Sequence, residues 1–181
     1  MVDMTNCNST DIIFAPACLL CPVFQVEQKE KGHSWRNELL SFLTESGVSI
    51  IQMQCPEASF LGYNTGLQRK AHGVRYYEKL SGFSEHCDMI ALGIVEQIQA
   101  LQGNGYQIKA IIGIENSPTC AVNRIFTYGV GTEFRQGVLF EVLNKRLTEL
   151  QITIPYVGVN RRKKDQTNVT KYLQQLIEAD S

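Results

Sequence analysis

The chain reads as an α/β protein: a single-domain, Rossmann-like three-layer sandwich with a mainly parallel sheet of four or five strands. Two observations predict this. Short β-branched runs alternate with amphipathic helical stretches, and strands joined by helical crossovers pair in parallel. No low-complexity linker or internal repeat divides the 181 residues, a length suited to one buried core. The expected organisation is a polar N-terminal tail over residues 1–10 followed by one domain over residues 11–181.

The first strand is Asp11-Ile12-Ile13-Phe14-Ala15, a short apolar run. Ser34 can cap a helix that continues to about Ser46, with Leu39, Leu40, Phe42 and Leu43 inward and Gly47 as its stop. Val48 to Met53 is a second strand. A long helix from Ser84 to about Leu101 carries Ile90, Ile94, Ile98 and Leu101 on one face, and Gly103 ends it. Ile108 to Ile114 is the clearest strand. A helix from about Glu133 to Leu150 follows, bearing Val138, Val142, Leu143 and Leu147. A strand near Ile154 to Val159 and a last helix with Val169, Leu173 and Leu176 complete the pattern. Residues 56–83 fit it least well. They are rich in Gly, Tyr and basic side chains, and read as a long functional connection that is partly helical around Val74 to Leu80.

Composition narrows the function. Seventeen Lys and Arg against eighteen Asp and Glu leave a formal charge of −1, so no positive field exists to hold a nucleic acid polymer. A mean hydropathy of −0.13 without a long apolar run argues against a membrane protein. The N-terminus shows no basic stretch followed by an apolar one, as a signal peptide would. Its cysteines are therefore expected to be reduced and cytoplasmic, and the sequons at Asn8 and Asn168 carry no weight.

Of the six cysteines, Cys18, Cys55 and Cys120 each fall just past the end of an expected strand. In an open parallel sheet those loops share the carboxyl edge, where ligands bind. Thiolates are the usual ligands of iron–sulfur clusters; four saturate a cubane, and three leave one iron open. The alternatives are three ordinary buried cysteines, a zinc site of Cys18, Cys21, Cys55 and Cys120, or a thioredoxin-like dithiol of Cys18 and Cys21. Structural zinc usually takes two C-x-x-C knuckles and only one is present, while a dithiol leaves Cys55 and Cys120 unexplained. Cys21 stays open as a spare thiol, a fourth ligand in a resting state, or core. Cys7, in the tail, and Cys87, near a helix start, are not expected to be ligands.

Ala17-Cys18-Leu19-Leu20, Cys55-Pro56-Glu57 and Ser117-Pro118-Thr119-Cys120, in this order and spacing, resemble the thiouracil desulfidase family. The resemblance extends from about residue 12 to about residue 145. Its first and last motifs are fairly specific together, and each is weak alone. Members carry a [4Fe-4S] cluster on three cysteines and remove sulfur from thiolated nucleobases. The match implies Cys18, Cys55 and Cys120 as cluster ligands. The chain departs from the family at Cys21 and Ala121, where glycines are usual, and in Gly62-Tyr63-Asn64-Thr65-Gly66-Leu67, where a Gly-Gly-Leu is expected. These changes suggest a divergent branch.

The resemblance implies a small thiolated substrate whose sulfur meets the open iron, water addition to the C=S carbon, and release of hydrogen sulfide without net electron transfer. Ser117 matches the family's serine and is expected to orient substrate or relay a proton. Glu57 and Glu115 are the candidate bases. Plainer roles stand beside these: Ser117 as a turn cap before Pro118, and Glu57 solvated or paired with Arg69 or Arg75. Tyr128-Gly129-Val130-Gly131-Thr132 reads as a tight helix-entry turn rather than a phosphate cradle. The run Arg161 to Lys164 reads as a solvated loop, and His33, His72 and His86 as surface or capping residues. A non-catalytic metal- or cluster-bearing binding module and a C-x-x-C redox protein are the competing functions. Monomer and homodimer both remain open.

Overall fold

The near-continuous burial expected of a sheet covered on both faces runs through the two central strands, residues 11–16 and 107–114. The computed structural model describes residues 10–24, 34–62, 72–127, 129–160 and 166–179. In chain order these form β1 (Asp11–Pro16), α1 (Ala17–Leu20), a short 3-10 turn (Pro22–Phe24), α2 (Ser34–Glu45), β2 (Ser49–Met53), α3 (Pro56–Leu61), α4 (Val74–Glu78) and α5 (Phe83–Gly103). There follow β3 (Gln107–Ile114), β4 (Ile125–Thr127), β5 (Gly131–Glu133), α6 (Val138–Glu149), β6 (Tyr156–Val159) and α7 (Gln166–Glu178). Cys7, Asn8, His33, Arg69, Tyr128 and the run Arg161 to Lys164 lie outside the described residues.

Four strands make one sheet in the order β2-β1-β3-β6, every pair parallel. Phe14 stands opposite Ile51 on one side and Ile111 on the other, and Gly113 stands opposite Gly158. Ile12, Phe14 and Ile111 face a layer built from α5 and α6, with Ile90, Ile94, Ile98, Leu139, Leu143 and Leu147. Ile13, Ala15, Ala110 and Ile112 face the opposite layer, where Trp35, Leu39 and Leu43 of α2 meet Leu173 of α7. Burying each such aliphatic or aromatic side chain stabilises the fold by about 1.5–3 kcal/mol. The expected three-layer α/β sandwich is present, with four strands in the main sheet. Among the described residues no helix is long and apolar enough to cross a membrane.

Most element boundaries follow from local chemistry. Gly47, at φ 71°, ends α2, and its N–H donates to the Thr44 carbonyl at 3.2 Å. Gly82, at φ 80°, caps α5, which starts at Phe83, one residue before the expected Ser84. Four expectations are corrected. Residues 56–61 form a helix instead of a loop, because Pro56 occupies the first helical turn, where its missing N–H is no loss. The helix placed from Glu133 starts only at Val138, with Glu133 in β5. The glycine-rich segment before it is the turn of the β4–β5 hairpin rather than a helix entry, with Val130 N donating to Thr127 O at 3.1 Å. Finally, β6 begins at Tyr156 rather than Ile154.

Candidate functional site

The three cysteine-bearing connections leave β1, β2 and β3, which are neighbours in the sheet. Adjacent strands lie about 4.8 Å apart, so their carboxyl ends span about 10 Å. The chain reverses its winding direction at β1, since β2 lies on one side of it and β3 on the other. Ligand crevices of open α/β sheets form at such a point.

Each connection is held differently. β1 runs directly into α1, which buries Leu19 and leaves Cys18 half-buried. The α1 turn closes with Cys21 N donating to Ala17 O at 2.8 Å, and Arg36 Nε donates to Leu19 O at 2.8 Å. Cys55, also half-buried, is the residue before α3, and its carbonyl accepts from Ser59 N at 3.0 Å and from the Ser59 hydroxyl at 2.9 Å. The Ser59 hydroxyl lies 2.6 Å from His86 Nε2. Burial lowers the pKa of His86 below its ordinary value, and the half-buried ring packs 5.4 Å from that of Phe60.

Cys120 is buried in a loop folded back onto β3. Its carbonyl accepts from Ile114 N at 2.8 Å, and its own N–H donates to Ser117 Oγ at 3.1 Å. The start of α6 grips the same loop: Gly137, Val138 and Leu139 donate their N–H groups to the carbonyls of Ala121, Pro118 and Thr119 at 3.0–3.1 Å. Donors that a helix end normally leaves unpaired are thus satisfied. Two glycines permit this approach. A Cβ on Gly137 would come within 2.7 Å of Thr119 O, and one on Gly113 within 2.7 Å of Val122 and 2.9 Å of Phe140, besides striking the Cys120 carbonyl.

Electrostatics ties the three thiols together. Burial pushes the Cys120 thiol well above its ordinary pKa, and the facing Cys55 and Cys18 push it further, with Glu57 adding to them and the Thr119 hydroxyl opposing. Like charges must be close to act this way. Cys87, fully buried in α5, is pushed up to about 12 by burial, then by Glu57 and Cys55. It therefore stands behind the site, a placement that the sequence did not suggest.

Glu57 is 6% exposed. Its Oε1 accepts from the Thr119 hydroxyl and its Oε2 from the Tyr77 hydroxyl, each at 2.8 Å. Thr119 Oγ1 is 3.5 Å from Cys120 Sγ. Neither a solvated Glu57 nor one paired only with an arginine describes this arrangement. Ser117 Oγ accepts from the N–H groups of Thr119 and Cys120 at 3.3 and 3.1 Å, so the capping role is present at the Cys120 loop itself. Glu115 is also buried, but Asn123 Nδ2 and Arg124 N donate to its two oxygens at 2.8 and 3.0 Å, and it packs over Gly158. It braces the loop from the β6 side.

Cys18, Cys55, Cys120, Glu57 and Ser117 are thus gathered at one edge. Sequence reasoning passed over Tyr77 and Thr119 as partners of Glu57; both lay within stretches already singled out, but nothing in their spacing announces the contact. Among the described residues no three His, Cys, Asp or Glu side chains are grouped to hold a single metal ion. A cubane makes a different demand, since each thiolate meets its own iron. Three thiols delivered by three neighbouring strand ends fit that donor pattern.

No family model matches the chain. An uncharacterized protein of Methanocaldococcus jannaschii is 26% identical over 149 residues, covering 82% of this chain and 85% of that one. The solved structure of a [4Fe-4S]-dependent thiouracil desulfidase, TudS, aligns with a TM-score of 0.50 at 18% identity, covering 91% of this chain and 98% of that chain. The two proteins share a fold over nearly their whole lengths.

Proposed function

We propose that this chain is a divergent member of the thiouracil desulfidase family, a non-redox enzyme removing sulfur as hydrogen sulfide from a thiolated nucleobase or similar thiocarbonyl compound. The observation that carries the reading is the convergence of Cys18, Cys55 and Cys120 on the carboxyl ends of three adjacent parallel strands, beside a buried carboxylate. The likeness of the fold to TudS supports it.

Cys18, Cys55 and Cys120 would hold a [4Fe-4S] cluster, one thiolate to each of three irons. When bound, the group supplies a Lewis-acidic iron without a protein ligand, which polarises a thiocarbonyl sulfur. Glu57 is the general base: it takes a proton from the water that adds to the C=S carbon, and returns it as sulfur departs. The balance is one thiocarbonyl and one water in, one carbonyl and one hydrogen sulfide out, with no change of oxidation state. Ser117 orients the substrate, its oxygen fixed by two backbone donors and lying 3.4 Å from Thr119 Oγ1. Glu115, held by Asn123 and Arg124 over Gly158 on the β6 side, ranks behind Glu57, which bonds Thr119 beside Cys120, and serves the loop. Cys21, at the end of α1, is not required for the cluster.

Anaerobic purification and assay test the reading. Brown protein containing iron and sulfide in equal amounts, releasing hydrogen sulfide from a thiolated pyrimidine, is the expected result. Bound iron without release from any thiolated base would favour a binding module. Activity that depends on a Cys18–Cys21 disulfide would favour the redox protein.

A further inference from the structure

Glu57 is gripped from both sides. Its two oxygens accept from hydroxyl groups on residues 20 and 62 positions away, Tyr77 and Thr119, each at 2.8 Å. Tyr77 is fully buried and Thr119 is 1% exposed, so water does not compete readily for either bond. Tyr77 is itself fixed by an aromatic cluster: its ring centroid lies 4.9 Å from Phe83, 5.2 Å from Tyr76 and 6.2 Å from His72. A buried tyrosine is costly unless its hydroxyl finds a partner. In α4, a helix of five residues, that partner is a carboxylate on another element.

From this geometry we infer that Tyr77 is a positioning residue, which acts through Glu57 to aim the carboxylate into the cysteine-lined edge, with Thr119 as the second clamp. The inference rests on the desulfidase reading for its kinetic consequence and on the two hydrogen bonds alone for its structural one. A carboxylate held at both oxygens cannot rotate about its last torsion without breaking a bond. Removing the Tyr77 hydroxyl takes the donor away from Oε2 and loosens the carboxylate about its Thr119 contact. The base is then in place for a fraction of the time, and turnover falls while substrate affinity does not.

Tyr77→Phe keeps the ring and its packing and deletes only the donor. In the cluster-loaded protein, kcat should fall roughly ten- to hundredfold, the range expected for one hydrogen bond to a charged group, with KM and iron content unchanged. Thr119→Val should give a similar loss, rescued by Thr119→Ser. A second readout does not depend on turnover: isotope-edited infrared spectra of protein labelled at Glu carboxyl carbons, with Glu57→Gln to assign the band. Tyr77→Phe should shift and broaden the Glu57 carboxylate stretch. An unchanged band would overturn the inference whatever the enzyme does. A shifted band with wild-type kcat in an active enzyme would overturn the positioning role. A shifted band in a protein that releases no sulfide from thiolated bases would support the clamp while refuting the desulfidase reading.

Discussion

Gly113→Ala should dismantle the site from beneath. Gly113 lies in β3 under the loop that carries Cys120, and any Cβ there strikes the Cys120 carbonyl and comes within 2.7 Å of Val122 and 2.9 Å of Phe140. The carbonyl is backbone and Phe140 is fully buried, so neither can yield by a simple change of rotamer. Overpacking a tight interior of this kind costs about 1–3 kcal/mol. Pushing the loop away also weakens the bond from Ile114 N to Cys120 O, worth about 1 kcal/mol. The sum is about 2–4 kcal/mol, which for a domain of this size lowers the melting temperature by roughly 5–15 °C. Gly93→Ala is the control: it sits within α5 with no described residue within 4 Å of a Cβ there, and should stabilise by about 0.5–1 kcal/mol. Calorimetry on the metal-free proteins, followed by anaerobic iron loading, reads both effects. The reasoning is refuted if Gly113→Ala melts within about 2 °C of the parent and takes up the same iron.

Other outcomes follow from the same contacts. Glu57→Gln should keep the cluster and lose about 10²–10⁴ in kcat, the usual share of a general base; normal iron with normal turnover would remove Glu57 from the mechanism. Alkaline titration should destabilise the metal-free fold. The folded pKa of Cys87 is raised from 9.0 to about 12 and that of Tyr156 from 10.0 to about 12, both by burial, so the unfolded chain loses protons first. The stability held by the protonated groups is complete below about pH 9 and drains away as pH rises towards 12, which denaturant midpoints measured across that window would show. The Tyr156 hydroxyl is buried and has no hydrogen-bond partner among the described residues. Tyr156→Phe should therefore be neutral or stabilising by about 1 kcal/mol, and should soften the alkaline loss.

Much of the scaffold was legible in the sequence. Ile12-Ile13-Phe14 and Ile111-Ile112 announce strands buried on both faces, and the spacing of Ile90, Ile94 and Ile98 announces α5. From three strand ends the meeting of three cysteines followed, because a parallel sheet delivers all its carboxyl ends to one edge. The hairpin from Ile125 to Glu133 was missed because three-residue strands leave too short a pattern to detect. The start of α6 was misplaced because Gly137, rather than a polar cap, fixes it, and what requires glycine there is the backbone of Thr119 and Cys120. The helical turn after Cys55 did carry a signal, a proline followed by an acidic residue. The burial of Glu57 carried none, since its partners come from α4 and from the Cys120 loop, distant along the chain.

The central claim is that three of the six cysteines hold a cluster and the others do not. Iron and acid-labile sulfide, measured on anaerobically isolated protein and on single Cys→Ala variants, test it most directly. Close to four iron and four sulfide per chain is the occupancy of a [4Fe-4S] centre. The account predicts that value for the parent, for Cys21→Ala and for Cys87→Ala, with loss in Cys18→Ala, Cys55→Ala and Cys120→Ala. Colourless protein that takes up no iron on anaerobic reconstitution would contradict it, as would full occupancy in Cys55→Ala.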